Sequence, residues 1–322
     1  MLAVVCPGQG AQSPGMLAPW LELPATADRL RAYADVVGQD LVAHGTTSDA
    51  DAIRDTAVAQ PLLVATALLT FHALVEGTAG ESVAADVVAG HSVGELGAAA
   101  IAGVLTDDEA LDLVRVRGAA MARAAAVTPT GMAALLGGDP SEVLARLEAV
   151  GLTAANVNGG GQVVAAGTLD ALAALAADPP ARTRVVPLQV AGAFHTTHMA
   201  PAVAELAERA ERLTPGTPTT VLLSNADGAT VTAGAEALAR LVAQVANPVR
   251  WDLCQEAMLA LGVTGLVELA PAGVLTGLAR RTLPGVETVA VKTPADLDAA
   301  RDLARRHRGA GPAGSPNQET AP

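Results

Sequence analysis

The segment Gly90-His91-Ser92-Val93-Gly94 constrains this chain more than any other, because of what stands on either side of it. The apolar run Ala84–Ala89 precedes it and the alanine-rich Glu95–Ala100 follows. A strand, a Gly-x-Ser-x-Gly turn and a helix, in that order, make a nucleophile elbow, in which a serine sits on a tight, strained turn at the head of a helix. Gly90 and Gly94 are expected where a side chain would meet neighbouring backbone, and the helix N-terminus offers N–H groups to an oxyanion. Ser92 is therefore the candidate nucleophile. In a chain with 32 glycines an isolated match of this kind is weak by itself, so its meaning depends on the residues that accompany it.

At 322 residues the chain is long enough for one large or two modest domains, and two is the better fit. Hydrophobic residues make up 51% of it while only 2% are aromatic, so the core must be assembled mainly from alanine, valine and leucine. No uncharged apolar stretch is read as reaching the ~18–20 residues of a membrane span, and no membrane association is expected. Met1–Pro7 lacks the basic region and cleavage site of a signal peptide, which points to a cytoplasmic protein. Cys6 and Cys254 lie far apart without metal-ligand spacing, so they read as buried apolar residues rather than as a disulfide or a zinc site. A net charge of −13 argues against nucleic acid as a partner, since a polyanion needs a basic surface. Arg115, Arg117, Arg123, Arg280 and Arg281 are clustered; such runs are ordinarily solvated helix faces, and all but Arg117 are read so.

The order of elements is α/β. A strand at Leu2–Cys6 runs into the turn-rich Pro7–Gln12, and loops leaving strand ends are where α/β proteins place their chemistry. Helices are expected at Thr26–Val37, Gln60–Val75 and Thr106–Ala126, the last opening on a capping box, Thr106-Asp107-Asp108-Glu109. From Met132 to Leu188 the pattern becomes β-α-β-β-α-β, the ferredoxin-like arrangement. The fold class expected is thus a hydrolase-like large domain with a mainly parallel central sheet and a nucleophile elbow, carrying an inserted ferredoxin-like small domain. Residues 1–126 and 192–308 would form the large domain, 127–191 the small one, and 309–322 a disordered tail without apolar content.

Several separated motifs, taken together, resemble the malonyl-CoA:acyl carrier protein transacylases of fatty-acid synthesis and the related acyltransferase domains of polyketide synthases. They are Pro7–Gln12, Gln60-Pro61, Gly90–Glu95, Arg117-Gly118 with Met121, Asn156-Val157-Asn158 with Gln162-Val163-Val164, Gly192–His195 with Met199, and Gln244–Val249. The resemblance runs from about Met1 to Arg305 and is strongest to free-standing actinobacterial enzymes. It implies that Ser92 attacks the malonyl thioester and that His195 serves as general base and then acid. His195 would be oriented by the backbone carbonyl of Gln244 in place of a triad acid. The oxyanion hole would be the backbone N–H groups of Gln9 and Val93. Arg117 would hold the malonyl carboxylate through two charge-assisted hydrogen bonds, and a neutral acyl group would leave it desolvated and unpaired. Phe194 would crowd the α-carbon, while His91, Met121, Gln60 and Asn158 would line the substrate. The partners implied are malonyl-CoA and acyl carrier protein, with no resident cofactor or metal, and a monomer is expected.

Six histidines compete for the general-base role. His44, His72 and His307 stand in segments without other chemistry, His91 reads as a lining residue, and His198 follows His195 by three positions. The spacing of Phe194, His195 and Met199 selects His195 through the resemblance. Two departures from the family pattern are Ala270-Pro271-Ala272-Gly273, where a Gly-Pro-Gly turn is usual, and Val93 for the commoner leucine. Two other readings are a hydrolase passing the acyl group to water, which Arg117 disfavours, and a non-catalytic docking subunit, which would be expected to lack Ser92 or His195.

Overall fold

The computed structural model describes residues 1–76 and 84–308, and the tail expected from Gly309 onward lies outside the described residues. The strands are β1 (Leu2–Cys6), β2 (Val87–Gly90), β3 (Thr130–Gly137), β4 (Thr153–Gly159), β5 (Gln162–Thr168), β6 (Thr183–Pro187), β7 (Val221–Leu223), β8 (Thr230–Val231), β9 (Val249–Arg250), β10 (Gly265–Glu268) and β11 (Glu287–Ala290). The helices are α1 (Pro24–Val37), α2 (Leu41–Thr46), α3 (Thr56–Glu76), α4 (Gly94–Ile101), α5 (Asp107–Val127), α6 (Pro140–Ala149), α7 (Leu169–Ala177), α8 (Ala200–Ala210), α9 (Gly234–Gln244), α10 (Trp251–Ala260), α11 (Val274–Thr282) and α12 (Leu297–His307).

A six-stranded sheet runs β11-β10-β1-β2-β7-β8, parallel except for β8. Its central strands are apolar without alternation because both faces are covered: every residue of β1, β2 and β10 is buried. Glu268 is the polar exception in β10, and its carboxylate accepts from the N–H groups of Gly273, Leu275 and Thr276 at 2.8–2.9 Å, capping α11. The capping box of α5 forms as its sequence predicts, with Glu109 N–H donating to Thr106 Oγ1 at 3.2 Å and Thr106 N–H to Glu109 Oε2 at 2.8 Å.

The expectation about apolar stretches needs correction at α3. This 21-residue helix is long and apolar enough to cross a membrane by length and composition, yet it packs inside the protein against α5 and α4. Thr66 and Thr70 satisfy their hydroxyls on carbonyls one turn back, Leu62 and Thr66, both at 2.7 Å.

The second sheet runs β6-β3-β5-β4-β9. Its first four strands are antiparallel and, with α6 and α7, follow the order β-α-β-β-α-β. The fifth strand is absent from the sequence reading: β9 arrives from far along the chain and pairs in parallel with β4. The second sheet is therefore completed by residues outside 127–191, and Arg250 N–H of β9 donates at 2.8 Å to the carbonyl of Asn225, which follows β7 of the first sheet and bonds the loop after β2, next to the loop after β1.

Candidate active site

Those loops leave the C-terminal ends of parallel strands, where an α/β sheet presents its chemistry. Ser92 sits between β2 and α4 with φ of 53°, a left-handed conformation that a serine adopts at a cost. The turn is too tight for side chains on its flanks. A Cβ on Gly90 would lie 2.0 Å from the carbonyl carbon of Gly94, and one on Gly94 would lie 2.3 Å from Cys6 O. Asn225, just after β7, clamps the turn from the other side: it accepts from Ser92 N–H and donates to Gly90 O, both at 2.8 Å.

His195, also left-handed at φ 61°, brings Nε2 to 2.7 Å from Ser92 Oγ. Its Nδ1 lies 2.8 Å from the Gln244 carbonyl. A carbonyl only accepts, so Nδ1 carries the proton, and Nε2 is left to accept from the serine hydroxyl. Burial, reinforced by the charge of Arg117, pushes His195 down to about 3, so the imidazole is neutral at neutral pH.

Arg117, on α5, is 2% exposed. Its Nη1 donates to Gln60 Oε1 at 2.6 Å, and its Nη2 to Gln244 Oε1 at 2.8 Å and to Ser92 Oγ at 3.4 Å. Burial lowers it to about 10, against the pull of Glu95, which leaves it cationic at neutral pH. Two expectations change here. The guanidinium already has two amide acceptors without a carboxylate present, and Gln244 contributes its side chain as well as its carbonyl.

A cavity of about 230 Å³ opens beside Ser92 and His195. Gln9, His91, Met121, Phe194 and Asn158 line it, and Gln60 does so as well while bonding Arg117. Gln9 and Val93 have no hydrogen-bond partner for their backbone N–H groups among the described residues. His91 donates from Nε2 to Asn158 Oδ1 at 2.8 Å and meets the edge of Trp251. His198 is not part of this lining. His44 pairs with Ser48, His72 with Asp107 and His307 with Glu287, all away from the cavity. Arg115 and Arg123 pair with Asp112 and Glu205, as solvated helix faces do.

Sequence reasoning missed Glu95 and Asn225. Glu95 is buried on α4, accepts from Asn225 N–H at 2.6 Å and makes a short bond with Gln244 Nε2. Burial raises its pKa, while the Asn225 and Gln244 donors and the Arg117 charge pull the other way. It belongs to the Gly90–Glu95 motif, so its position was visible although its role was not.

The chain matches the acyl transferase domain family over residues 3–304. It is 52% identical over 305 residues to the malonyl CoA-acyl carrier protein transacylase of Mycobacterium tuberculosis, covering 94% of this chain and 100% of that one. The crystal structure of MCAT from Mycobacterium tuberculosis superposes with a TM-score of 0.90 at 52% identity, over 94% of this chain and 99% of that one. A malonyl-transacylase in complex with a type II polyketide synthase acyl-carrier protein superposes with a TM-score of 0.86 at 32% identity, over 94% of this chain and 99% of that one.

Proposed function

The chain belongs to the acyl transferase domain family, and from that premise we propose that it moves malonyl from coenzyme A to acyl carrier protein by way of an ester on Ser92. It is an acyltransferase of the malonyl-CoA:acyl carrier protein type, like the transacylases it resembles, and supplies extender units for fatty-acid or polyketide synthesis. The observation that carries the seryl-ester reading is the contact of 2.7 Å between Ser92 Oγ and the accepting nitrogen of a neutral His195.

In the first half-reaction His195 Nε2 takes the hydroxyl proton as Oγ bonds to the thioester carbonyl carbon. The carbonyl oxygen gains charge beside the N–H groups of Gln9 and Val93. When the C–S bond breaks, His195 returns the proton to the thiolate and free coenzyme A departs. The phosphopantetheine thiol of the carrier protein then gives its proton to His195 and attacks the ester carbonyl; the bond to Ser92 Oγ breaks, His195 returns the proton to Oγ, and malonyl leaves on the carrier as a thioester. Arg117 holds the malonyl carboxylate throughout, Phe194 crowds the α-carbon, and His91, Met121, Gln60 and Asn158 shape the cavity. The protein supplies no cofactor or metal in this scheme, because the thioesters bring the reactive groups.

The finer fold reading supports the same assignment. The parallel sheet with Ser92 on a left-handed turn reads as a hydrolase-like core with a nucleophile elbow. The order β6-β3-β5-β4, with two helices, reads as a ferredoxin-like domain over 127–191 set into a large domain of 1–126 and 192–308. A cytoplasmic monomer with no nucleic-acid or membrane partner completes the reading, and a holo carrier protein bound to a related transacylase supports the choice of acceptor.

Labelled malonyl-CoA tests it. Label should appear on wild-type protein but not on Ser92→Ala, and should pass to holo carrier protein when that is added. Release of the label as free malonate in the presence of carrier would favour the hydrolase. Stoichiometric labelling of Ser92→Ala would remove the serine from the mechanism.

A further inference from the structure

The side chains behind Ser92 form a hydrogen-bond chain whose polarity is set at one end. Gln244 has one amide, and each end is committed: Nε2 donates to Ser92 O at 3.0 Å and to Glu95 Oε2, and Oε1 accepts from Arg117 Nη2 at 2.8 Å. Turned over, the amide would point N–H at a guanidinium and oxygen at a carboxyl and a carbonyl. Glu95 is placed to prevent this. Its other oxygen accepts from Asn225 N–H at 2.6 Å, and Asn225 in turn clamps the Ser92 turn. Position 95 must therefore accept on both sides, which a carboxylate does and a carboxamide of the same shape cannot.

We propose that Glu95 is a positioning residue for acyl selectivity: by accepting from both Asn225 and Gln244 it turns the Gln244 amide oxygen toward Arg117 and so fixes the guanidinium for a carboxylate-bearing acyl group. The proposal rests on the reading of Arg117 given above. Glu95 does not touch the acyl group and acts through Gln244. A glutamine there would present N–H either to Asn225 N–H or to Gln244 Nε2, and the second arrangement favours the turned amide, which takes the acceptor from Arg117. An acetyl group does not use the guanidinium, so its transfer is insensitive to that loss.

The test is acylation of Ser92 by malonyl-CoA and by acetyl-CoA, compared as a ratio of kcat/KM values. Glu95→Gln should lower the ratio about tenfold or more, the scale of one hydrogen bond to a charged group, chiefly through KM for malonyl-CoA. Glu95→Asp, which keeps two accepting oxygens, should retain most of the wild-type ratio. Gln244→Leu should lower the ratio by itself, and adding Glu95→Gln to it should lower it no further. Gln244→Leu also decides the matter if Glu95→Gln does not fold, since an unchanged ratio there overturns the proposal. Equal losses for both substrates in Glu95→Gln also overturn it, as they would show a purely structural role. Arg117→Ala, run alongside, separates the two levels. If it keeps the malonyl preference, the reading of Arg117 fails; if it loses the preference and Glu95→Gln does not, only the role of Glu95 fails.

Discussion

The backbone carbonyl of Gln244 stands 2.8 Å from Nδ1 of His195, so the orientation of the imidazole depends on a peptide group. A peptide carbonyl fixes the tautomer as a carboxylate would, but it brings no negative charge to stabilise the imidazolium. Arg117 adds a positive charge nearby, and together with burial this keeps His195 a weak base held neutral and ready to accept.

His195→Ala should slow acylation of Ser92 by at least the ~10²-fold typical of losing a general base. His198→Ala should leave it near wild type, because His198 does not line the cavity. A larger effect at His198, measured as the rate of label incorporation, would reverse the assignment.

The same burial predicts how stability depends on pH. His195 is depressed to about 3 in the folded protein, while an unfolded histidine titrates near 6.5. Between those values the unfolded chain binds more protons. The contribution of His195 to stability is thus present above 6.5 and lost as pH falls toward 3. In urea unfolding, wild type should lose about 2 kcal/mol relative to His195→Ala between pH 7 and pH 5, at up to ~1.4 kcal/mol per pH unit. A difference between the two proteins that does not change with pH would mean that His195 is not buried as a neutral base.

Gly90→Ala should be severe. Its Cβ would lie 2.0 Å from Gly94 carbonyl carbon, against backbone that has nowhere to go. The turn must open, with a loss above about 3 kcal/mol and disappearance of Ser92 acylation. Near-normal stability and labelling would show that the turn is not locked by this contact.

Glu268→Ala tests a part of the fold that the sequence does not advertise. The carboxylate satisfies three N–H groups and the Thr276 hydroxyl at the start of α11, all at 2.8–2.9 Å. Removing it leaves buried donors unpaired, at a cost of about 1–3 kcal/mol for each one left unsatisfied. Val274, Leu275 and Leu278 of α11 line the cavity, so KM for malonyl-CoA should rise as well. An unchanged unfolding midpoint and KM would show that the helix start is held by other contacts.

What was legible in the sequence was local. The glycines around Ser92 and the Thr106–Glu109 capping box carry their mechanism within a few residues, and strand and helix order followed from periodicity. β9 was not legible, because two residues after α9 become a strand only by pairing with β4, some ninety positions earlier. Glu95 looks like an ordinary acidic residue in a first helical turn. Its hydrogen-bond partner Gln244 stands 149 positions away, which no local pattern reports. α12 was missed although Leu297, Ala300, Leu303 and Ala304 have helical spacing, because charged residues dominate the segment.

Arg117→Ala bears most directly on selectivity, because its guanidinium is assigned to a group that malonyl has and acetyl lacks. Malonyl transfer should fall by orders of magnitude, the loss of a buried charge pair being on the order of 3–5 kcal/mol. Stability should fall too, since Gln60 Oε1 and Gln244 Oε1 both lose their donor. Those same two acceptors change what acetyl transfer should do. A guanidinium already satisfied by two amides carries little penalty beside a neutral acyl group, so removing it should leave acetyl transfer nearly unchanged rather than strongly raised. Values of kcat/KM for malonyl-CoA and acetyl-CoA, measured on folded wild type and mutant, separate these outcomes. A proportional loss for both would assign Arg117 to the scaffold of the site, and carboxylate recognition would have to be sought among the other cavity residues.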